Sequence, residues 1–148
     1  MSKRFVSEFL NLLENQRGFL KDLDSLTNEQ LNFIPKGSKN SIGILLNHIT
    51  GAEKFLLHQI VFGIEIDRDR DKEFEHVNRS LDKLKQEYLS TAEKTKELLT
   101  SKLEDGQLYE ERKTRTSTRT VLWVLLHSLE HNNYHIGQIY LLLAMVKN

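Results

Sequence analysis

The segment from Val121 to Val146 constrains the fold more than any other, since it is long, apolar and free of proline. Its large aliphatic residues fall on all sides of a helix, namely Leu122, Val124, Leu125, Leu126, Leu129, Ile136, Ile139, Leu141, Leu142 and Leu143. A helix of this kind has no broad solvated face. The segment therefore predicts a long helix that is buried on more than one side.

The same segment contains three of the six histidines, His127, His131 and His135, at intervals of four residues. Residues four apart lie on nearly the same face of a helix, so a neighbouring pair can aim two imidazoles at one metal ion. The ends of the row are about 12 Å apart along the helix axis, which disfavours binding of one ion by all three. We expect two ligands from this helix and at least one from elsewhere. The alternative is a polar helix face on which the histidines share no role.

Composition excludes several classes of site. The chain has 148 residues, with 21 basic and 21 acidic side chains and no cysteine. Zero net charge argues against nucleic acid or an anionic membrane as a partner. Without cysteine there is no disulfide and no thiolate ligand, so a metal site needs nitrogen and oxygen ligands. We see no signal peptide and no membrane span, and expect a cytoplasmic protein.

Apolar residues recur at steps of three and four in four segments, which predicts four amphipathic helices. The first covers residues 2–23, and the second covers 42 to about 62 after an N-cap at Ser41. The third starts at Asn78 or Ser80 and ends near residue 103. The fourth starts near Arg119 or Thr120, is capped by Ser117 or Thr118, and ends at the tail Lys147-Asn148.

The connections carry weaker signals. Thr27 and Gln30 have the spacing of a capping box, which predicts a short helical turn before Pro35. Residues 64–75 include the run Asp67-Arg68-Asp69-Arg70-Asp71-Lys72, and we interpret them as a solvated connection. Residues 113–120 alternate basic residues with threonine and serine, as an extended loop or a short edge strand would.

Four helices without a convincing strand pattern favour an all-α, four-helix bundle. No repeat or flexible linker divides the chain, so we expect one domain over residues 1–148. His48 borders the apolar stripe of the second helix, where it is either a core residue with a backbone partner or a ligand that faces the fourth helix. We expect His58, near the end of the same helix, at the surface.

Three segments can be compared with known families. They are Leu26-Thr-Asn-Glu-Gln-Leu-Asn-Phe-Ile-Pro35, Ser41-Ile-Gly-Ile-Leu-Leu-Asn-His48-Ile-Thr-Gly-Ala-Glu53 and His127-Ser-Leu-Glu-His131-Asn-Asn-Tyr-His135-Ile-Gly-Gln-Ile. Together they resemble the DinB/YfiT-like metalloprotein superfamily, and the resemblance spans most of the chain. The ending His-Xaa-Gly-Gln-Ile after the histidine pair is its most specific part.

The resemblance implies a down-up-up-down four-helix bundle, often a homodimer, that holds a divalent metal with three histidines. By motif position the ligands are His48, His131 and His135, and the ion is zinc or nickel, with iron as an alternative. His127 matches a position that is often histidine but is not usually a ligand. A three-histidine set leaves positions for water or substrate, as catalytic metal sites do.

Four residues near these histidines have two interpretations each. Gly137 either allows close approach of a neighbouring element or is a mild helix defect. Gln138 is either a hydrogen-bond partner of the site or a polar surface residue. We expect Glu53 and Glu130 to be solvated carboxylates, with acid–base or supporting roles as the alternative.

Three functions follow. The resemblance implies a metal-dependent enzyme, such as a thiol S-transferase or a hydrolase, with isomerisation as a further reaction and a small-molecule thiol or electrophile as its partner. The alternatives are a non-enzymatic, metal-binding or stress-associated dimer, and a helical interaction module whose histidines are incidental. Because the fourth helix is apolar nearly all round, we also expect a homodimer.

Overall fold

The computed structural model describes residues 2–76 and 79–147. Helices make up most of this part of the chain, as the sequence predicts. Asn78, one of the two starts predicted for the third helix, lies outside the described residues, as does Asn148 of the tail. Among the residues described, no helix has both the length and the apolar character needed to cross a membrane.

Four long helical segments and one short helix form the fold. Within the described residues, the five α-helices are α1 (Arg4–Gln16), α2 (Asn28–Leu31), α3 (Ile42–Glu53), α4 (Leu81–Lys102) and α5 (Val121–Val146). Two of them continue without a break in other helical forms. α1 runs into a 3₁₀-helix at Arg17–Leu23, and α3 runs into a π-helix at Lys54–Val61.

The remaining elements lie in the connections. Short 3₁₀-helices occur at Asp71–Phe74 and Asp105–Gln107. Strands β1 (Glu111–Lys113) and β2 (Thr118–Thr120) pair antiparallel, with Glu111 opposite Thr120. Of the two alternatives for residues 113–120, the short strand holds for Lys113 and for Thr118–Thr120, and residues 114–117 connect the two strands.

Side-chain caps start α2, α3, α4 and α5, whereas α1 begins without one. Thr27 and Gln30 form the predicted capping box, and Ser41 and Ser80 each accept a hydrogen bond from a backbone N–H three residues later. The cap of α5 is Thr120, whose hydroxyl accepts from the Trp123 N–H at 3.1 Å. The prediction of Ser117 or Thr118 as this cap was wrong, because strand pairing keeps the chain extended through Thr120.

Two clusters of buried apolar side chains hold the long segments together. One cluster includes Phe19, Leu45 and Ile139, and the other includes Phe9, Leu57 and Val124. Both clusters include residues of α5 and of α3 or its π-helical continuation, so each of these two segments has a buried apolar side. Polar side chains on that side must find partners inside the protein.

His58, which was predicted at the surface, lies in the π-helical segment. Hydrogen bonds in a π-helix span five residues, so side chains rotate away from their α-helical positions. His58 is buried rather than at the surface, and its Nε2 lies 2.8 Å from Thr95 Oγ1 on α4. Burial lowers the pKa of His58, so the ring is neutral at pH 7.

Glu53 is also buried, which contradicts its prediction as a solvated carboxylate. Arg17 donates to both of its oxygens, at 3.0 and 3.2 Å, and Thr95 donates to it at 2.7 Å. Arg17 also donates to Tyr88 Oη at 3.1 Å, and burial raises the pKa of Tyr88 to about 12. Arg17, 36 positions away in the sequence, thus neutralises a carboxylate that the fold buries in the core.

We expect Arg17→Met to lower the free energy of unfolding by about 3–5 kcal/mol, because it leaves the Glu53 carboxylate buried without its cation. Arg4→Met, which changes an exposed arginine of α1, is the matched control and should have little effect. Denaturant unfolding followed by circular dichroism measures both. Equal losses in the two variants would contradict a stabilising role for the buried pair.

Candidate metal centre

Three histidines from two helices meet at one point. His48 of α3 is buried, and His131 and His135 of α5 are half-buried. One ring nitrogen from each lies within 4.8 Å of the others, and His48 Nε2 is 3.0 Å from His131 Nε2. The structure thus brings together the three side chains that the family resemblance singles out, in a cluster that could hold a metal ion.

The outer nitrogen of His48 contacts Glu73. Its Nδ1 lies 2.9 Å from Glu73 Oε1, and because the carboxylate accepts, this nitrogen carries the proton. The Nε2 that faces His131 then has a free lone pair. Metal-binding histidines commonly have this arrangement, in which a carboxylate fixes the tautomer and the direction of the ring.

Glu73 itself is fixed from two sides. Arg68 donates to both of its oxygens, at 2.7 and 2.9 Å. A Cβ atom on Gly51 would lie 2.0 Å from Glu73 Oε2, so only glycine at this position of α3 lets the carboxylate come so close. Burial alone would raise the pKa of Glu73, but hydrogen bonds from His48 and Arg68 outweigh it and lower the pKa.

These contacts correct the interpretation of residues 64–75. The segment is more than a solvated connection, since Glu73 is buried against α3. Sequence reasoning missed Glu73, Arg68 and Gly51 because their roles depend on contacts between distant parts of the chain. The available signal was weak: a glycine near the middle of an apolar helix costs about 1 kcal/mol and calls for a packing reason.

Gln138 plays a similar part for His135. Its Oε1 lies 2.7 Å from His135 Nδ1, so the amide oxygen accepts and the Nε2 of His135 keeps its lone pair. Of the two interpretations of Gln138, the hydrogen-bond partner is the one the contact supports. Burial lowers the pKa of His135 although this hydrogen bond opposes the change.

His131 lies beside both other rings, with its centroid 4.9 Å from that of His48 and 4.6 Å from that of His135. Burial, followed by repulsion from His135, His48 and His127, lowers the pKa of His131 to about 3, so the ring is neutral at pH 7. Its buried Nδ1 has no hydrogen-bond partner among the described residues. When the proton is on Nδ1, the Nε2 atoms of His48 and His131 offer two lone pairs to the same point. The donor set therefore fits a divalent metal that accepts imidazole nitrogen.

Three other candidates lie outside the cluster. His127 stacks on Trp123, with ring centroids 4.6 Å apart, and its ring centroid is 6.3 Å from that of His131. Glu130 is exposed, as predicted. A Cβ atom on Gly137 would have no atom within 4 Å, so no described part of the chain makes the close approach that this glycine would permit.

Comparisons with known proteins agree with this architecture. A family model described as the DinB superfamily matches residues 11–139. A DinB-like protein from Bacillus cereus, known from a crystal structure, superposes with a TM-score of 0.74 at 22% sequence identity, over 92% of this chain and 91% of that one. At this identity the likeness concerns the fold. No curated protein sequence matches the chain.

We expect His131 to remain neutral in the metal-free protein well below pH 6.5, because its folded-state pKa is about 3. The unfolded chain binds this proton near the usual histidine pKa of about 6.5. Between pH 6.5 and about pH 3 the unfolded state therefore binds more protons at this residue than the folded state, so His131 lowers the free energy of unfolding as the pH falls through this range. Above pH 6.5 the residue is neutral in both states and has no such effect.

Nuclear magnetic resonance of the imidazole protons during a pH titration measures this pKa directly. The resonance is assigned by its loss in His131→Gln, a variant that should also show a weaker fall in unfolding free energy between pH 6.5 and pH 4. A titration midpoint of His131 near 6.5 would refute the prediction.

Proposed function

Because this chain belongs to the DinB superfamily, we propose that His48, His131 and His135 bind one divalent metal ion and that the protein is a metal-dependent enzyme. The observation that carries the proposal is the convergence of three ring nitrogens within 4.8 Å of one another. Glu73 and Gln138 hold the outer nitrogens of two of the rings, which leaves the inner nitrogens as ligands.

The ligand set favours a catalytic ion. Three neutral imidazoles suit zinc, nickel or iron, of which we propose zinc or nickel, and leave at least one coordination position for another molecule. When bound, such an ion lowers the pKa of a coordinated thiol or water and so supplies a nucleophile at neutral pH. We therefore propose a thiol S-transferase or a hydrolase, which acts on a small-molecule thiol or electrophile.

The protein's own residues supply access and orientation. A pocket of about 210 Å³ opens beside His48 and His131 and has His127 and Phe55 in its lining. This space suits a small molecule, and His127 lies where its ring can contact what enters. Arg68 and Glu73 keep His48 in one orientation, so the ligand cluster is formed before anything binds.

The arrangement of the helices, the domain organisation and the cellular location are proposed as well. We propose that the four long helical segments, which begin with α1, α3, α4 and α5, form a down-up-up-down bundle, that residues 1–148 are one domain, and that the protein is cytoplasmic. Contacts of α3 with both α4 and α5, and of α1 with the same two helices, support the bundle. A crystal structure tests the helix directions, limited proteolysis tests the domain, and cell fractionation tests the location.

We expect His48→Ala, His131→Ala and His135→Ala each to lose the metal, because each removes one of three ligands. His127→Ala is the matched control: it removes a histidine of α5 that lies outside the cluster and should retain most of the metal. Elemental analysis of untagged, purified protein measures the metal content, and circular dichroism checks that each variant is folded. Equal metal content in the parent and the three ligand variants would refute the site.

Measuring turnover distinguishes an enzyme from a non-enzymatic metal-binding or stress-associated protein. The metal-loaded parent should transfer a small thiol to chlorodinitrobenzene or hydrolyse an activated ester, and the folded His131→Ala variant should do neither. A parent that binds the metal but turns over neither class of substrate with a panel of thiols would contradict the enzyme and favour the binding protein.

We also propose a homodimer formed by the outer face of α5. Leu126, Tyr134, Leu141 and Met145 are between 49% and 66% exposed and lie on one face of this helix, with Gly137 between them. Several exposed apolar residues on one helix face are typical of a protein interface, although exposed Glu130 lies among them. Gly137 would then permit close approach of the second copy.

Leu141→Glu should convert the dimer to a 17.3 kDa monomer, because it places a charge within the proposed apolar interface. Leu89→Glu is the matched control, since Leu89 is a half-exposed leucine on α4. Light scattering coupled to size-exclusion chromatography measures the mass at micromolar concentration. A monomeric parent, or dissociation caused by Leu89→Glu alone, would contradict this interface.

A further inference from the structure

A basic cleft of about 690 Å³ lies next to the histidine cluster. The π-helical segment, residues 64–75 and the β-hairpin form its walls. Its charged lining residues are all basic, and among the described residues no carboxylate lines it: they are Arg68, Arg70, Lys113 and Arg115. The formal net charge of the chain is zero, so this excess of positive charge is local.

Three of these cations are available to a ligand. Arg68 is engaged by Glu73, whereas Arg70, Lys113 and Arg115 are exposed and form no ion pair with any residue that the structure describes. The guanidinium of Arg70 lies 5.2 Å from the centre of the Phe74 ring, a contact that holds its position while its N–H groups remain available.

The mixed-charge run of the sequence is divided between two surfaces. Asp67 and Asp69 line a different cavity, together with Glu73 and Glu87, whereas Arg70 lines the basic cleft. Neither aspartate lines the basic cleft, although Arg68 lines both cavities. The hairpin adds Lys113 and Arg115 from the opposite wall.

The cleft is continuous with the candidate metal centre. The pocket that contains His48 and His131 shares Phe55, Arg68, Arg70 and Arg115 with the cleft. Arg70 and Arg115 thus line the same pocket as His48 and His131, two of the three histidines of the cluster. The apolar part of the cleft wall, formed by Phe55, Ile60 and Ile66, can contact an uncharged portion of the same molecule.

We propose that this cleft binds a small organic anion, a carboxylate or a phosphate monoester with an apolar body, and that this anion is the substrate of the histidine site. Arginine binds both headgroups through two parallel N–H bonds, and apolar walls with a few charged groups are typical of small-molecule sites. The role of the anion as substrate rests on the proposed enzymatic function; its binding to the cleft does not.

The probes are phenyl phosphate and benzoate, with benzyl alcohol as the neutral control, titrated by calorimetry and by nuclear magnetic resonance into metal-free and metal-loaded protein. We expect one or both anions to bind the metal-free protein and benzyl alcohol to bind at least tenfold more weakly, as the loss of about one charged hydrogen bond predicts. The anion that binds more tightly shows whether the cleft prefers a phosphate or a carboxylate headgroup.

The double variant Arg70→Gln/Arg115→Gln should weaken the binding of the anion by about tenfold or more. Arg4→Gln/Lys96→Gln removes the same charge from exposed positions outside the cleft and should leave the affinity nearly unchanged. If both double variants lost the same affinity for the anion, net charge alone would explain the effect and the inference would be overturned. Binding of benzyl alcohol as tight as that of the anions would also overturn it.

Measuring metal uptake together with anion binding distinguishes a failure of the anion cleft from a failure of the proposed metal enzyme. Arginine-dependent binding of phenyl phosphate to a protein that takes up no metal would refute the metal enzyme and retain the anion cleft. Binding of the anion only to metal-loaded protein, unchanged in Arg70→Gln/Arg115→Gln, would retain the metal and overturn the cleft.

Discussion

The contact between Glu73 and His48 is the interaction on which the candidate site depends. It fixes the proton of His48 on Nδ1 and therefore directs the other nitrogen toward His131. The same carboxylate is held by Arg68, and it reaches α3 only because Gly51 has no side chain. One carboxylate thus sets the tautomer of His48, packs residues 64–75 against α3 and holds Arg68, which lines the basic cleft.

Helix α3 explains why such partners are needed. It carries His48 and Glu53 inside an apolar environment, and a buried ionised or polar group is costly unless another group satisfies it. The partners come from elsewhere in the chain: Arg17 neutralises Glu53, and Glu73 satisfies the outer nitrogen of His48. The buried polar groups of this helix therefore fix how the first helical segment and the second connection pack around it.

Local signals allowed much of this to be predicted. The hydrophobic period predicted the long helices. The hydroxyl caps predicted the start at Ser41 and, as one of two alternatives, the start at Ser80, because caps and period both depend on neighbours a few residues away. The four-residue spacing and the family resemblance singled out the histidines that meet. His58 lies in a π-helical segment, and the burial of Glu53 and Glu73 depends on Arg17 and Arg68. The helical pattern therefore placed His58 and Glu53 wrongly in solvent, and the mixed-charge run did the same for Glu73.

Charge balance connects the metal proposal with the anion cleft. Three neutral imidazoles would leave both positive charges of a divalent ion uncompensated. Glu73 contacts the cluster, but Arg68 neutralises it, so little negative charge remains there for an ion. Arg70 and Arg115 add further positive charge at the entrance. A site with this balance favours negatively charged groups, so an anionic headgroup in the cleft, and a thiolate or hydroxide beside the histidines, would each complete it electrostatically.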